Sequence, residues 1–209
     1  MPEGLPTTRK PKHAVILCHP ELDSFNAAVA KRYCETVQQF GHEVVLRDLY
    51  RMGFDPVLKA NEQAQSAFTL SPDVVNELKV IDGTDVFVLV YPIWFAMPPA
   101  MLKGYVDRVF GAGVSFRSVR NRQTTPLLYG KRLVSFTSSG TTLSWLAEQG
   151  AWVSLQNLFD HYLLRGFSMN SAEHKHYDSI VEGLEKRFVD EYLYDVEQNA
   201  RRICGTIDN

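Results

Sequence analysis

Hydrophobic positions along the chain fall into two alternating regimes. Short apolar runs within residues 13–18, 42–47, 86–90, 132–136 and 162–167, of which Val86, Phe87, Val88, Leu89 and Val90 are the purest, predict strands buried on both faces. Between them apolar residues return every three to four positions, which predicts helices. Ser24 caps the first, whose stripe is Phe25, Ala28, Val29, Tyr33 and Val37, and Gly41 ends it. Ser71-Pro72-Asp73 starts the second, with Val74, Val75, Leu78 and Ile81. Pro98-Pro99 starts the third, with Met101, Leu102, Tyr105, Val106, Val109 and Phe110 inward and Lys103, Asp107 and Arg108 between them. A fourth helix is expected over 143–159, and a last one over 179–204 with Ile180, Leu184, Phe188, Tyr192, Val196 and Ile203 on one face. Strands alternating with helices at this spacing require right-handed crossovers, hence a parallel, doubly wound α/β sheet.

Such sheets bind ligands beyond the carboxyl ends of their strands, so the loops there carry the candidate chemistry. Trp94 and Phe95 follow the third strand, and two aromatic faces beside free backbone amides suit a flat, polar-edged ring such as a flavin. Taken alone, aromatics after a core strand are more often packing. The start of the first helix faces the same crevice and favours an anion such as a cofactor phosphate, although Glu21 and Asp23 oppose it. Thr137-Ser138-Ser139-Gly140 would let backbone N–H groups approach a ring closely, or is a routine turn. Gly111-Ala112-Gly113 follows a helix, where a dinucleotide fingerprint must follow a strand, and is rejected as one. His161 is expected to be structural, residues 117–130 to be polar loop, and His174-Lys175-His176 to be solvated loop, with no metal site.

Composition narrows the class. The 209 residues fit one domain, expected over 13–209 behind a flexible leader at 1–12. A hydrophobic content of 45%, a charged content of 22% and a net charge of -2 are ordinary globular values and leave no footprint for nucleic acid. Arg117, Arg120, Arg122, Lys131 and Arg132 cluster, as solvated surface charges often do. No apolar stretch reaches membrane-spanning length and the N-terminus lacks a secretory core, so no membrane insertion is expected. Cys18, Cys34 and Cys204 are too few and too widely spaced for a disulfide framework or a zinc site. A soluble cytoplasmic protein is the expectation.

The run from Tyr91 to Phe110, YPIWFAMPPAMLKGYVDRVF, resembles the signature of the flavodoxin-like NAD(P)H:quinone oxidoreductases, a family that includes DT-diaphorase, modulators of drug activity and ancillary flavoproteins of potassium-efflux transporters. His19-Pro20-Glu21-Leu22-Asp23-Ser24-Phe25-Asn26 resembles the family's first loop, and the two occur in the family's order. The resemblance implies a flavodoxin-like five-stranded parallel sheet in the order 2-1-3-4-5, with its switch point between strands one and three. It implies FAD, with FMN possible, held by His19, Ser24, Phe25 and Asn26, by Pro92, Ile93, Trp94 and Phe95, and by Thr137, Ser138 and Gly140. NAD(P)H as co-substrate, ping-pong hydride transfer to a quinone, and a C2 homodimer follow from the same likeness, with Asp48-Leu49-Tyr50 and Phe54-Asp55-Pro56 near the dimer interface. Phe116 and Trp145 would line the substrate pocket. One departure stands out: Trp145 and Ala151 occupy positions where animal members carry a tyrosine and a histidine that relay charge and proton, so no catalytic residue is assigned. Other readings consistent with the resemblance are a flavin-binding regulatory subunit of a transporter and an FMN-dependent azo- or nitroreductase.

Overall fold

In the computed structural model, which describes residues 9–63, 68–121 and 127–207 and all of their side chains except that of Phe116, five parallel strands form one sheet in the order β2-β1-β3-β4-β5. The strands are β1 (Lys12–Leu17), β2 (Glu43–Asp48), β3 (Val86–Pro92), β4 (Arg132–Ser138) and β5 (Ser171–Tyr177). The helices are α1 (Phe25–Gln39), α2 (Pro72–Ile81), α3 (Ala100–Tyr105), α4 (Phe116–Arg120), α5 (Leu143–Glu148), α6 (Ala151–Leu155), α7 (His161–Gly166) and α8 (Lys186–Gly205). Wider π turns extend α3 through Val106–Phe110 and α6 through Gln156–Asp160. None of the described helices is long and apolar enough to cross a membrane.

Every residue of the central β3 is buried, and its alternation divides the core. Val86, Val88 and Val90 pack with Val15, Leu17, Val134 and Phe136 beneath α1 and α8. Phe87, Leu89 and Tyr91 pack with Ala14, Ile16 and Leu133 beneath the remaining helices. Apolar residues at both parities are what a strand covered on both faces demands.

Five expectations are corrected. Residues 162–167 are not a strand; they lie almost wholly in α7, which buries Leu163 and Gly166 and exposes Tyr162. A short apolar run fits either element, and burial here comes from one helical face. The fifth strand is instead the polar SAEHKHY segment, which pairs with β4 and is the edge strand among the described residues, with His174 and His176 in it and not in a solvated loop. The single helix expected over 143–159 is broken at Gly150, whose φ of 68° is a left-handed conformation that side chains rarely adopt. The last helix begins at Lys186, after a loop that runs back over the sheet's carboxyl edge. Within the segment expected to be loop, α4 forms behind Ser115, which accepts from Ser118 N, while Arg122 lies outside the described residues.

The long connection after β2 is fastened to α3 and its π turn by groups that read as exposed. Arg108 is only 1% exposed; its guanidinium meets both Glu62 oxygens at 2.7 and 2.8 Å, and Asp73 at 2.8 Å. Arg47 and the Tyr105 hydroxyl converge on buried Glu77 at 2.5 and 2.8 Å. Gly104 lets the backbone of Pro56 close in, since a Cβ there would sit 2.3 Å from Pro56 O. Ahead of β1, Arg9 bonds Gly83 O and Asp85, and residues 1–8 are outside the described part.

Candidate functional site

The carboxyl ends of β1, β3 and β4 deliver three loops to one crevice, and the loop after β5 closes its side. Loop one ends at Ser24, whose hydroxyl accepts from Ala27 N at 3.2 Å and caps α1. The amides of Phe25 and Asn26, in the first turn, have no intrahelical acceptor, and both residues line the crevice. Loop three leaves β3 with Ile93 N on Ser138 O at 2.7 Å, then turns tightly, Trp94 and Met97 exchanging backbone hydrogen bonds of 3.0 Å. Phe95 and Ala96 form the turn with φ of 49° and 63°, both left-handed. That geometry throws the Phe95 ring clear of the protein, fully exposed, while Trp94 stays half-exposed with its ring 5.9 Å from that of His19.

Loop four is tied to its neighbours. Ser138 Oγ donates to Asn26 Oδ1 at 2.9 Å. The loop after β5 is laced to it by Ser139 N on Tyr177 O at 3.1 Å and Ile180 N on Ser139 O at 2.9 Å. The space enclosed has two lobes that share Ile93. The first, about 730 Å³, is lined by His19, Ser24, Phe25, Asn26, Pro92, Ile93, Trp94, Ser138 and Gly140, and by Glu21, Asp23 and the 180–184 loop. The second, about 570 Å³, is lined by Phe95, Ala96, Met97, Thr141, Trp145 and Ala151. The residues singled out in sequence therefore converge, with two exceptions. Thr137 lines neither lobe, and Phe116 opens α4 with its side chain outside the described residues. Thr141 went unnoticed in sequence, and Ile180 and Leu184 of the 180–184 loop were expected on the last helix; placing the fifth strand at 171–177 would have brought that loop to the crevice edge.

Thr137 turns its hydroxyl into a buried polar chain. Oγ1 is 2.7 Å from His174 Nε2 and 2.8 Å from His176 Nδ1. His176 Nε2 reaches Ser139 Oγ at 3.0 Å, and that hydroxyl donates to Thr141 O at 2.7 Å. At the other end His174 Nδ1 lies 2.5 Å from Asp160 Oδ2, and Ser135 Oγ donates to Asp160 Oδ1 at 3.2 Å. The Trp152 ring covers both imidazoles, its centre 4.8 and 5.1 Å from theirs. Burial, helped by neighbouring His174 and opposed by Asp178, pushes the His176 imidazole down to about 4. Burial also pushes the Cys18 thiol, at the end of β1, up to about 12, so it is no nucleophile at neutral pH. At the opposite edge of the sheet His13, His42 and Cys204 gather within 4.8 Å, with His13 Nε2 3.1 Å from His42 Nδ1 and His13 Nδ1 2.9 Å from the Tyr33 hydroxyl.

The sequence matches the family of the flavodoxin-like fold over residues 11–199. It is 35% identical over 157 residues to an uncharacterized NAD(P)H oxidoreductase of Haemophilus influenzae, covering 74% of this chain and 75% of that one. It is 33% identical over 146 residues to NAD(P)H dehydrogenase [quinone] 1 of Cavia porcellus, covering 61% of this chain and 53% of the relative, so only about half of that longer protein is matched. Among solved structures, an NAD(P)H:quinone oxidoreductase from Methanothermobacter marburgensis superposes with a TM-score of 0.77 at 24% identity, over 93% of this chain and 96% of that one. An FMN-dependent NADH-azoreductase from Bacillus anthracis, in complex with FMN, gives a TM-score of 0.68 at 16% identity, over 92% and 99%. At these identities the structural likeness concerns the fold.

Proposed function

Because the chain belongs to the flavodoxin-like fold family, we propose that it is a flavin-dependent NAD(P)H oxidoreductase that passes hydride equivalents to a quinone-type acceptor. The two-lobed crevice at the switch point carries this reading. The first lobe suits the cofactor's chain: the Phe25 and Asn26 amides at the α1 N-terminus favour a phosphate, and Ser24 orients them. Beyond them Ile180, Val181, Leu184 and Val189 form an apolar wall on which an adenine could lie, which favours FAD over FMN. Glu21, Asp23 and Glu182 repel a phosphate but accept hydrogen bonds from hydroxyl and amino groups, as a dinucleotide's ribose and adenine would offer. The second lobe, walled by Phe95, Met97 and Trp145, suits two flat substrates binding in turn.

A bound flavin supplies the two-electron chemistry. The chain's part is to hold its ring between loops three and four, to present the backbone N–H of Gly140, and to exclude water. The relatives' names, an NAD(P)H oxidoreductase and a quinone dehydrogenase, support the donor and the acceptor class. Phe95, Met97 and Trp145 are exposed beside the second lobe, and we extend the reading to a homodimer whose second copy covers them.

The test is the mass of the cofactor released by heat, followed by NADH and NADPH oxidation with and without a quinone. FAD and acceptor-dependent turnover are expected. A colourless protein whose melting temperature ignores both FAD and FMN would sink the proposal, because a ligand at 100 times its Kd adds about 2.7 kcal/mol of stability. Flavin binding without quinone-dependent turnover would leave the regulatory subunit and the azo- or nitroreductase, which turnover with an azo or nitro acceptor separates.

A further inference from the structure

Behind loop four lies a polar system that the binding crevice itself does not use, and its proton directions can be worked out link by link. Thr141 O can only accept, so the single hydroxyl proton of Ser139 is committed to it. Toward His176 Nε2, Ser139 Oγ can then only accept, and Nε2 carries hydrogen. The His176 ring, held down at about 4 chiefly by burial, is neutral at neutral pH, so Nδ1 accepts. It takes the Thr137 hydroxyl hydrogen, and Thr137 Oγ1 in turn accepts from His174 Nε2. His174 Nδ1 and Asp160 Oδ2 are 2.5 Å apart, a separation at which two lone pairs cannot meet, so a proton lies between them.

We propose that Asp160, His174, Thr137, His176 and Ser139 form a directional proton chain, which stores one proton at the Asp160–His174 pair and releases it at Ser139 Oγ in the crevice wall. The proposal rests on the flavin reading only for the identity of the base that takes the proton. When a base in the crevice draws the Ser139 hydroxyl off Thr141 O and takes its proton, His176 Nε2 protonates Ser139 Oγ, Thr137 protonates His176 Nδ1, and His174 Nε2 protonates Thr137. His174 ends neutral, its Nδ1–H on the Asp160 carboxylate. Each station between breaks one bond to hydrogen and forms another, and no electrons change hands. Every link then points the other way, so the chain discharges once and must be reloaded before it acts again.

The surroundings suit such a store. Asp160 faces His174 from the π turn after α6, Thr137 and Ser139 face the two rings from β4 and its loop, and Asp178 lies just beyond β5 near His176. Trp152 from α6 shields both imidazoles from bulk water. Trp145 and Ala151, on the second lobe, offer an indole N–H and nothing, so neither is an acid that could do this work.

The experiment is 15N spectroscopy of histidine-labelled protein without cofactor, in the wild type, Thr137→Val and Thr137→Ser, alongside stopped-flow flavin reduction of the same three proteins. At pH 7 the expected result is His176 as the Nε2–H tautomer and a hydrogen on His174 Nε2. Thr137→Val, close in shape but without the hydroxyl, should release the His176 tautomer and slow reduction by up to about 100-fold, and Thr137→Ser should restore both. His176 found as the Nδ1–H tautomer in the wild type, or Thr137→Val reducing flavin at the wild-type rate, would overturn the chain. If Thr137→Val does not fold, the wild-type tautomers decide. Failure to bind flavin overturns the functional reading and leaves the tautomer result standing, whereas a flavin-loaded protein with the wrong tautomer overturns the chain alone.

Discussion

Ser138 Oγ donates to Asn26 Oδ1 at 2.9 Å, joining the loop after β4 to the first turn of α1 across 112 positions of sequence. Both residues are buried, so the bond holds two walls of the crevice in register with little competition from water. Asn26→Ala strands a buried hydroxyl, and a loss of about 1–3 kcal/mol in urea denaturation is expected. Asn26→Ala combined with Ser138→Ala should cost less than the two singles added together. Strict additivity would mean that the two side chains do not support each other.

Arg108 and Glu62 form a pair that is 1% exposed on both sides, and breaking such a pair typically costs about 3–5 kcal/mol because the survivor stays charged and buried. Arg108→Ala should therefore lower the melting temperature far more than Lys103→Ala, whose partner Asp107 is exposed.

The same pair predicts an acid dependence. The Arg108 guanidinium is the main cause that holds the Glu62 carboxyl down at about 2, below its value in an unfolded chain. Its contribution, on the order of 3 kcal/mol, is complete above the unfolded value near 4.5 and is lost as pH falls toward 2. Wild-type stability should drop across that window, and Glu62→Gln should be less stable at pH 6 with a flatter fall. Parallel pH profiles would count against this role for Glu62.

Gly104→Ala should be destabilising although alanine is the better helix former, because the new Cβ meets the Pro56 backbone at 2.3 Å. Overpacking of this kind costs about 1–3 kcal/mol, readable in thermal melts. A neutral or stabilised variant would show that the 49–71 connection yields easily.

Phe95 holds a left-handed φ of 49° with its ring in solvent, a conformation that costs stability and gains nothing in the isolated chain. Phe95→Gly should leave the melting temperature of the cofactor-free protein unchanged or raised, while weakening flavin retention several-fold through loss of aromatic contact. Unaltered flavin affinity would remove Phe95 from the binding wall.

Much of the crevice could be found before the fold was seen, because the signals there are local. A β-branched apolar run such as 86–90, stopped by Tyr91-Pro92, reads as a doubly covered strand, and the loops that follow the first, third and fourth strands of a doubly wound sheet must share one edge. Ser24 capping α1 and the aromatic turn after β3 are likewise set by neighbouring residues.

What the sequence by itself determined is thus the parallel sheet, its order through the resemblance, and the three loops that meet at its switch point. Tertiary structure alone decided which polar residues go inside. Arg108 reads as the solvent face of a helix until Glu62 from the connection after β2 and Asp73 from the first turn of α2 neutralise it. His174 and His176 read as loop until β4 supplies the ladder and Thr137, Ser139 and Asp160 satisfy their nitrogens, while the more apolar residues of 162–167 coil into α7. The physical reason is common to both cases. Burial of a polar group is repaid only by a specific partner, and when that partner lies tens of residues away no local pattern announces it.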